Sequence, residues 1–482
     1  MDFTSIFLVI LFIVNIFFAG VIIFIERKDP AATWAWVMIL FFIPVVGFII
    51  YLFLGQNLTR RRMFDWEGIY QIGLVDRINQ QIGQIRDRTF SFGNAIVDRY
   101  RDLIYMHLIN NEAVLTKGNQ IEIFNDGAEK FDQLIEDIRS AKHHIHIQYY
   151  IFRYDDLGLR MIEELRKKAA EGLEVCLLYD ELGSRKMRRR HFRPITDAGG
   201  KIGVFFPATF PKINIRLNYR NHRKLSIIDG EIGYIGGFNV GDEYLGNSKK
   251  FGYWRDTHLR IKGEAVDPMQ TRFILDWNLA SKHEPIAYSE NYFPPKQREG
   301  DAAVQMVSSG PDSHHEQIKN GLMKMVFEAE ETIYIQTPYF IPDKSLLDAI
   351  QIACLAGKDV RIMIPNKPDH PFVYWATYSH IGKVLETGAR VYIYENGFIH
   401  SKTMLIDGKI NSVGTANIDM RSFKLNFEMN AFIYDEETTQ KLTAAFENDM
   451  QQSIELTLAM YKRRPPLIRI KESLFRLLSP IL

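Results

Sequence analysis

The first fifty-odd residues contain two long stretches without charged side chains. Phe3 to Ile25 is uncharged, and as a helix its 23 residues reach roughly 35 Å, enough to cross a bilayer core. A second uncharged stretch runs from Ala31 to Leu54, with two tryptophans near one end and Tyr51 near the other, as interfacial anchors require. The first stretch lacks the basic start and small-residue cleavage site of a signal peptide. The pattern predicts a two-helix transmembrane hairpin over residues 1–56.

Positive charges on either side of these stretches predict their orientation. The loop between them carries Arg27 and Lys28, whereas the far flank carries Arg60, Arg61 and Arg62. Three charges against two favour a cytoplasmic location for the rest of the chain. The arginine run is either a solvated flank or a contact for anionic lipid headgroups.

Beyond residue 111, one pattern of apolar and polar positions occurs twice. The segment Ala141–Phe152 parallels Ala329–Phe340, and an amphipathic helical pattern precedes each. A helix, a glycine and an apolar strand follow each segment. The predicted helices lie around Met161–Ala170 and Ser345–Ala356, and the predicted strands are Val175–Tyr179 and Val360–Pro365. Helices alternating with apolar strands predict an α/β fold of two repeated lobes, each with a sheet covered on both faces.

These patterns divide the chain into five parts. The repeated lobes occupy residues 112–289 and 290–464, and the hairpin precedes them. Between hairpin and repeat lies a charged connecting segment, 57–111, whose fold the pattern does not predict. An amphipathic tail, 465–482, either lies in the membrane interface or packs on the second lobe.

Composition excludes some classes of function. The 59 basic and 58 acidic residues give a net charge of +1, so no global basic field favours nucleic acid as a partner. Cys176 and Cys354 are isolated and offer neither a disulfide framework nor a metal cage. His143, His144 and His146 are spaced like metal ligands, but alternation along a strand separates them and nothing nearby completes a ligand set. No metal site is predicted.

The two lobes share one set of polar residues with identical spacing. A histidine is followed by a lysine two positions on, an aspartate seven positions on and an asparagine 17 positions on. One such pattern is weak, but two copies in register leave chance negligible. The members are His222, Lys224, Asp229 and Asn239 in the first lobe, and His400, Lys402, Asp407 and Asn417 in the second.

These residue types suit chemistry at a phosphate group. Histidine acts as a nucleophile or a general acid near neutral pH, lysine supplies a point charge for a phosphate oxygen, and asparagine adds a neutral donor. On a strand, a histidine and a lysine two residues apart emerge on the same face. Asp229 and Asp407 each precede a glycine, which is typical of turn or support residues rather than catalysts.

An imidazole that transfers protons also needs a partner on its second nitrogen. Glu428 follows His400 by 28 residues, and Asp256 occupies the equivalent strand of the first lobe. Both are candidate orienting carboxylates, with surface salt bridges as the alternative.

The duplicated set resembles the signature of the phospholipase D superfamily, His-x-Lys-x4-Asp with a following Gly-Gly/Ser-x-Asn. The resemblance implies a two-lobed α/β fold with one active site where the lobes meet, and it groups Asp229 and Asp407 with the catalytic residues. Within the superfamily the chain is most similar to bacterial cardiolipin synthases, from Asp29-Pro30 in the hairpin to Gln336–Asp343. One departure is Gly237, where the second lobe has Thr415: the first lobe lacks that hydroxyl, which puts a symmetric phosphate cradle in doubt.

The resemblance implies an activity. One phosphatidylglycerol donates its phosphatidyl group to another through a phosphatidyl-histidine intermediate, giving cardiolipin and glycerol without metal or cofactor. By family precedent His222 is the nucleophile and His400 the acid/base. It also implies a bacterial cell membrane location with phosphatidylglycerol and cardiolipin as lipid partners and no nucleic acid; oligomeric state is not predicted.

Alternatives share the same chemistry. A hydrolytic phospholipase D or a phosphatidylserine synthase would differ only in donor or acceptor. A nuclease is disfavoured by the near-neutral charge, and a non-enzymatic scaffold by two intact catalytic sets.

Overall fold

The structure is a computed structural model of the 482-residue chain. It describes residues 3–26, 30–43, 46–47, 50–51, 63–64, 73–207, 218–367, 369 and 371–476.

The N-terminal apolar segment forms two contacting helices. Helix α1, Phe3–Gly20, continues as π-helix over Val21–Glu26, and helix α2 is Pro30–Phe42. Among the residues described, none of the helices combines the length and the apolar character needed to cross a membrane. The predicted two-span hairpin is therefore not confirmed. The charged loop around Arg27 and Lys28 and the run Arg60–Arg62 lie outside the described residues.

The charged connecting segment is helical. Its helices are α3 (Leu74–Arg86), α4 (Ala95–Arg99) and α5 (Arg101–Asn111). Leu103 and Ile104 of α5 lie in the same buried core as residues of the second lobe. The segment therefore packs against the second lobe, a contact that its polar composition did not predict.

The first lobe alternates strands and helices. Its elements are β1 (Thr116–Phe124), α6 (Gly127–Ser140), β2 (His144–Tyr149), α7 (Asp156–Ala170), β3 (Glu174–Asp180), α8 (Arg193–Asp197), β4 (Lys201–Phe205), β5 (Arg220–Asn221), β6 (Leu225–Ile228), β7 (Ile232–Gly236), β8 (Trp254–Arg255), β9 (His258–Lys262) and α9 (Val266–Ala280). Short 3₁₀ turns occupy Arg189–Phe192 and Asp242–Leu245.

The second lobe repeats this order after a 3₁₀ turn at Glu290–Tyr292. Its elements are β10 (Ala302–Ser309), α10 (Gln317–Glu328), β11 (Thr332–Gln336), β12 (Phe340–Ile341), α11 (Lys344–Leu355), β13 (Asp359–Pro365), α12 (Pro371–Leu385), β14 (Arg390–Tyr394), β15 (Phe398–Ile399), β16 (Thr403–Ile406), β17 (Ile410–Gly414), β18 (Ile418–Asp419), α13 (Met420–Lys424), β19 (Asn426–Tyr434), α14 (Glu436–Gln451), β20 (Ser453–Glu455), α15 (Leu458–Lys462) and α16 (Pro466–Arg476).

One sheet runs through both lobes. In the described chain its order is β20-β14-β13-β11-β16-β17-β19-β10-β1-β9-β7-β6-β2-β3-β4. Each lobe contributes a half, and the halves join where β1 pairs antiparallel with β10. Parallel pairs such as β2 with β3 and β11 with β13 are covered by helices, which explains their uninterrupted apolar sequences. The predicted α/β fold of two repeated lobes is confirmed.

The aspartates of the repeated motif support the start of a neighbouring strand. Asp229 lies in the turn between β6 and β7 with φ of 57°, and Asp407 lies between β16 and β17 with φ of 54°. The Asp229 carboxylate accepts hydrogen bonds of 2.8 to 2.9 Å from the backbone amides at positions 142, 143 and 144. Asp407 accepts equivalent bonds of 2.8 Å at positions 330, 331 and 332. Both aspartates lie at the strand end opposite the histidine, in a support role.

The C-terminal helix α16 packs on the second lobe and also exposes apolar side chains. It packs on α12 and buries Glu472, which forms a salt bridge of 2.7 Å with Arg464. On another side of the helix Leu467, Ile470 and Leu474 are 63%, 55% and 58% exposed. The helix is thus docked on the second lobe with an uncovered apolar stripe, while residues 477–482 lie outside the described residues.

The support role of Asp407 predicts a loss of stability without a loss of chemistry. Because Asp407→Ala leaves three backbone amides without their acceptor, we expect the free energy of unfolding to fall by about 2 kcal/mol. Thermal unfolding and turnover per folded molecule are the measurements. Asp407→Asn keeps one acceptor oxygen and tolerates the positive φ, so it should lose less. Abolished turnover at an unchanged melting temperature would instead assign Asp407 a catalytic role.

Candidate active site

Two short parallel strand pairs connect the lobes at the repeated motif. Strand β5 pairs with the first residues of β19, and β15 pairs with β8. Directly after them, the backbone amide of His222 donates to the carbonyl of Phe427 at 2.9 Å, and that of His400 donates to the carbonyl of Arg255 at 2.7 Å. Each histidine is therefore attached by its backbone to the other lobe.

This pairing brings each candidate carboxylate to a histidine of the opposite lobe. Nδ1 of His222 lies 2.9 and 3.0 Å from the two carboxylate oxygens of Glu428. Nδ1 of His400 lies 2.6 Å from Oδ2 of Asp256. All four side chains are buried, which excludes the alternative of surface salt bridges. Repeat numbering by itself associates each carboxylate with its own lobe, and the structure pairs them crosswise.

The histidine and lysine of each motif lie between strands rather than within one. Residues 222–224 link β5 to β6, and 400–402 link β15 to β16. The prediction of a continuous strand was wrong because the strand before each histidine pairs with the other lobe and the strand after it pairs with its own. The link crosses between them. Nζ of Lys224 donates to the carbonyl of His222 at 2.6 Å, and Nζ of Lys402 lies 2.9 Å from Nδ1 of His400.

Burial favours neutral imidazoles beside ionised carboxylates. Burial lowers the pKa of His222 to about 4 although Glu428 raises it, and burial together with Lys402 lowers the pKa of His400. Burial alone would raise the pKa of Glu428 and of Asp256, but the facing histidine and the nearby lysine bring each below its usual value. Because Nδ1 faces the carboxylate, Nε2 is the nitrogen left to react.

The pKa values of the two lysines lie close to neutral pH. Burial lowers the pKa of Lys224 to about 7 and that of Lys402 to about 8, and repulsion by Lys402 also lowers the pKa of Lys224. A bound phosphate would relieve this repulsion and favour the charged lysines. The pair is therefore suited to hold an anion.

The asparagines of the motif bond to the protein around the site. The side-chain oxygen of Asn239 accepts from the backbone amide of Ile151 at 3.1 Å, and its nitrogen donates to the hydroxyl of Tyr244 at 3.3 Å. The Asn417 side chain bonds to Asp419. Their predicted role in phosphate binding stays a prediction.

The difference between Gly237 and Thr415 follows from the two carboxylates. Oγ1 of Thr415 donates to Oε2 of Glu428 at 2.6 Å. A Cβ atom at Gly237 would lie 1.9 Å from Oδ1 of Asp256, so any side chain there would displace that carboxylate. In the first lobe the carboxylate occupies the space that the threonine fills in the second. The different carboxylates of the two lobes therefore explain why one lobe has glycine and the other threonine, without reference to phosphate binding.

Sequence reasoning missed the residues that fix these pairs. In the first lobe, the Arg223 guanidinium donates to Asp276 at 2.8 and 3.0 Å and through Nε to the carbonyl of Glu428 at 3.1 Å. Gln148 also donates to Asp276 at 2.7 Å. The group holds β19 against the His222 segment.

A similar group lies beside His400, and it joins an arginine of the first lobe to a carboxylate and a glutamine of the second. Arg255 donates to Asp449 at 3.1 Å, and Gln336 donates to the same carboxylate at 2.8 Å. Gln148 and Gln336 occupy one position of the repeated segment, so the repeat was the available signal.

The three histidines that resembled metal ligands form a separate group. Nδ1 of His146 accepts from Gln270 at 2.8 Å and its Nε2 lies 3.2 Å from Glu174, while His144 bonds Gln270 at 3.0 Å. Glu174 and Cys176 bring their ligand atoms within 4.8 Å of His146. His143 is exposed, whereas His144 and His146 are buried, and burial lowers the pKa of both. Both His146 nitrogens are engaged in hydrogen bonds, which allows this imidazole to be buried without charge.

Comparison with known proteins agrees with this geometry. A family model described as "Cardiolipin synthase, PLD-like domain" matches residues 134–277 and 322–450, and one described as "Phospholipase_D-nuclease N-terminal" matches residues 8–56. The chain is 57% identical over 475 residues to a cardiolipin synthase of Listeria monocytogenes serotype 4a (strain HCC23), covering 98% of each chain. It is 56% identical over 482 residues to the major cardiolipin synthase ClsA of Bacillus subtilis (strain 168), covering 100% of each.

The fold is also found among solved structures. The phosphatidylserine synthase of Haemophilus influenzae Rd KW20 matches with a TM-score of 0.61 and 18% identity, over 81% of this chain and 100% of that one. At this identity the likeness concerns the fold alone.

The duplicated fold and the paired His-Lys sets are those of the phospholipase D superfamily. Within it, the chain belongs to the cardiolipin synthase family.

The crosswise pairing predicts which histidine each carboxylate affects. Glu428→Gln keeps the shape but removes the charge that would stabilise an imidazolium, so we expect the turnover number to fall about 10- to 100-fold with little change in apparent substrate affinity. In ¹⁵N-histidine NMR spectra, the His222 signals should shift and the His400 signals should not. Asp256→Asn should give the converse. Shifts confined to His400 in the Glu428 variant would contradict the crosswise arrangement.

The lowered lysine pKa values predict an early loss of activity at alkaline pH. Since Lys224 and Lys402 have pKa values of about 7 and about 8, both lose their charge as the pH rises through this range. The value of kcat/KM, which reports the free enzyme, should fall there rather than near pH 10. A pH profile at fixed lipid composition measures it. Lys224→Arg removes the lower of the two pKa values and stays charged, so it should move the alkaline limb upward toward the pKa of Lys402; a flat wild-type profile to pH 9.5 would contradict the expectation.

Proposed function

We propose that this protein is a cardiolipin synthase that transfers the phosphatidyl group of one phosphatidylglycerol to a second and releases glycerol. The observation that carries the proposal is the arrangement of two buried, crosswise histidine–carboxylate pairs in which the lysine of each motif also acts electrostatically on the histidine of the other. Membership of the family supports it, as do the relatives named cardiolipin synthase that match along the full chain.

The reaction uses the site in two steps. Nε2 of one histidine attacks phosphorus, forming a P–N bond, while the bond from phosphorus to the glycerol oxygen breaks and the other imidazolium gives that oxygen its proton. The second imidazole, now neutral, takes the proton from a hydroxyl of another phosphatidylglycerol. The resulting oxygen attacks phosphorus and breaks the P–N bond, which gives cardiolipin. That His222 is the residue that attacks stays a prediction.

The chemistry itself requires no cofactor, because one phosphodiester replaces another. The lysines hold the phosphate oxygens, and Glu428 and Asp256 stabilise whichever imidazole carries a proton. Water would intercept the intermediate and give phosphatidic acid, as in a hydrolytic phospholipase D. The histidines are only 9% and 7% exposed, which favours transfer to a lipid over hydrolysis.

Membrane attachment fits the lipid substrates. Several apolar side chains of α1 and α2 are exposed, among them Phe17 at 66% and Phe41 at 68%. Exposed apolar surface of this extent suits a lipid environment better than water. We propose that residues 1–56 insert in the bacterial cell membrane as a hairpin, that 57–111 connect it to the lobes, and that the lobes are cytoplasmic. The exposed stripe of α16 supports a second contact with the bilayer.

The proposed function is tested with purified full-length enzyme in vesicles of phosphatidylglycerol alone. We expect cardiolipin and free glycerol in equal amounts with little phosphatidic acid, and inhibition of net synthesis by added glycerol. Lipid mass spectrometry and a glycerol assay measure the products. Predominant phosphatidic acid would favour the hydrolase, and dependence on a second lipid species would change the donor and acceptor.

Variants and chelation complete this test. His222→Ala and His400→Ala should each abolish synthesis, since residues that act as one unit lose activity together. Activity should survive exhaustive chelation, apart from effects of cations on the packing of the anionic lipid. Activity that only a divalent metal restores would contradict the metal-free scheme.

A further inference from the structure

The catalytic sets of the two lobes are alike, but two flanking positions differ in charge. Two residues before the histidine, the first lobe has Arg220 and the second has Phe398. Four residues after the asparagine, the second lobe has Arg421 and the first has Glu243. Only one member of each pair is a cation, so the surroundings of the two histidines are not equivalent.

The two arginines lie in one group, although they come from different lobes. The Arg220 guanidinium is buried, 3.7 Å from Asp180. Arg421 donates to the side-chain oxygen of Asn218 at 3.0 Å and to its backbone carbonyl at 2.9 Å. Burial lowers the pKa of Arg421, and repulsion by Arg220 contributes in the same direction. We name Arg220, Arg421 and Asn218 the arginine subsite.

The arginine subsite adjoins His222. The ring of Tyr150 contacts the His222 ring in an edge-to-face arrangement, with centroids 4.9 Å apart. Both guanidinium groups act electrostatically on the same phenol, whose pKa burial raises to about 12. Tyr150 therefore separates the arginines from the reacting imidazole by one aromatic ring.

The surroundings of His400 are aromatic. The Trp254 ring lies 5.2 Å from the His400 ring and 4.9 Å from Phe398, which occupies the position equivalent to Arg220. Phe251 lies 5.2 Å from Phe398. Glu243, equivalent to Arg421, forms a salt bridge of 3.2 Å with Arg153. The two arginines therefore lie near His222, and the equivalent positions near His400 carry no cation.

Arg220 is buried beside Asp180, and Arg421 is half-buried. Two cations close together and partly removed from water are costly unless anionic charge accompanies both. In the part of the chain that the structure describes, no carboxylate lies within ion-pair distance of the Arg421 guanidinium, whose hydrogen bonds end on neutral oxygen atoms. Guanidinium groups match the geometry of phosphate oxygens and bind them through paired hydrogen bonds. An anionic phosphodiester is therefore the chemistry that this subsite fits.

The proposed reaction brings such a group to the site. The phosphate that reacts lies between the histidines and is held by Lys224 and Lys402. The acceptor phosphatidylglycerol carries a second phosphate, one glycerol bridge away, that takes no part in bond exchange. Resting on the proposed function, we propose that the arginine subsite binds this phosphate of the acceptor lipid. The subsite then gives two identical lipids different roles: the molecule whose phosphate it holds presents its hydroxyl.

Competition between two acceptors isolates this role. Phosphatidylglycerol vesicles supplied with deuterated glycerol give cardiolipin when a lipid accepts, and deuterated phosphatidylglycerol when glycerol accepts. Both products come from the same phosphatidyl-histidine, so their ratio is independent of how fast that intermediate forms. Because glycerol has no phosphate, Arg421→Gln should lower the ratio of cardiolipin to deuterated phosphatidylglycerol about tenfold, as loss of a charged hydrogen bond implies. Arg220→Gln should lower it similarly, and Arg421→Lys should recover part of it.

Arg390→Gln is the matched control, because Arg390 is an arginine of the same lobe that forms a salt bridge of 3.0 Å with Glu455 at the sheet edge. It should keep the wild-type ratio. An unchanged ratio in the Arg421 and Arg220 variants would overturn the proposal, whether both products fall together or neither changes. A wild-type enzyme that forms no cardiolipin at all would refute the proposed function itself. Melting temperatures identify variants that do not fold. If Arg421→Gln is one of them, the product ratio of Arg421→Lys is used in its place.

Discussion

The active site depends on the short parallel strands that cross between the lobes. Each motif histidine directly follows two residues paired with the other lobe, and its partner carboxylate directly follows the two residues with which they pair. Neither lobe therefore contains a complete histidine–carboxylate pair. The continuous sheet through β1 and β10 fixes the lobes relative to each other, and the salt bridges at Asp276 and Asp449 hold the crossing segments. A shift of one lobe would separate both pairs together, which is why the site acts as a unit.

Burial of so many charged groups has a cost that only mutual pairing offsets. In a medium of low dielectric constant an isolated carboxylate or ammonium is strongly destabilised, whereas a paired one gains from the same low dielectric constant. Burial consequently lowers the pKa values of the histidines and of the lysines, while the facing histidine lowers the pKa of each carboxylate. A bound phosphate favours the protonated imidazole that the proposed transfer requires. An anionic phosphate supplies the charge that the site lacks. Binding of the anionic substrate therefore also sets the protonation states of the site.

Duplication provides two equivalent sets of candidate catalytic residues, and departures from it make the surroundings of the two histidines different. The change from Thr415 to Gly237 accompanies the change from a longer to a shorter carboxylate, and in both lobes a carboxylate lies within 3.0 Å of a histidine Nδ1. The change from Phe398 to Arg220 is accompanied by Asp180, 3.7 Å from the guanidinium, and it adds a cation on the His222 side that the His400 side lacks. A reaction between two copies of one lipid needs such a difference, because donor and acceptor are chemically identical before they bind.

The sequence by itself determined the α/β class, the duplication and the candidate reacting residues. These follow from local periodicity and from spacing, which are properties of the chain read in order. It also marked Asp229 and Asp407 as turn residues, since an aspartate followed by glycine has a local conformational preference. Only the tertiary structure decided that Glu428 serves His222 and Asp256 serves His400, that Arg223 and Arg255 hold those pairs, and that Arg421 lies beside Arg220. These contacts join positions about 140 to 200 residues apart across the two lobes, and no local pattern encodes which of two equivalent partners a side chain meets.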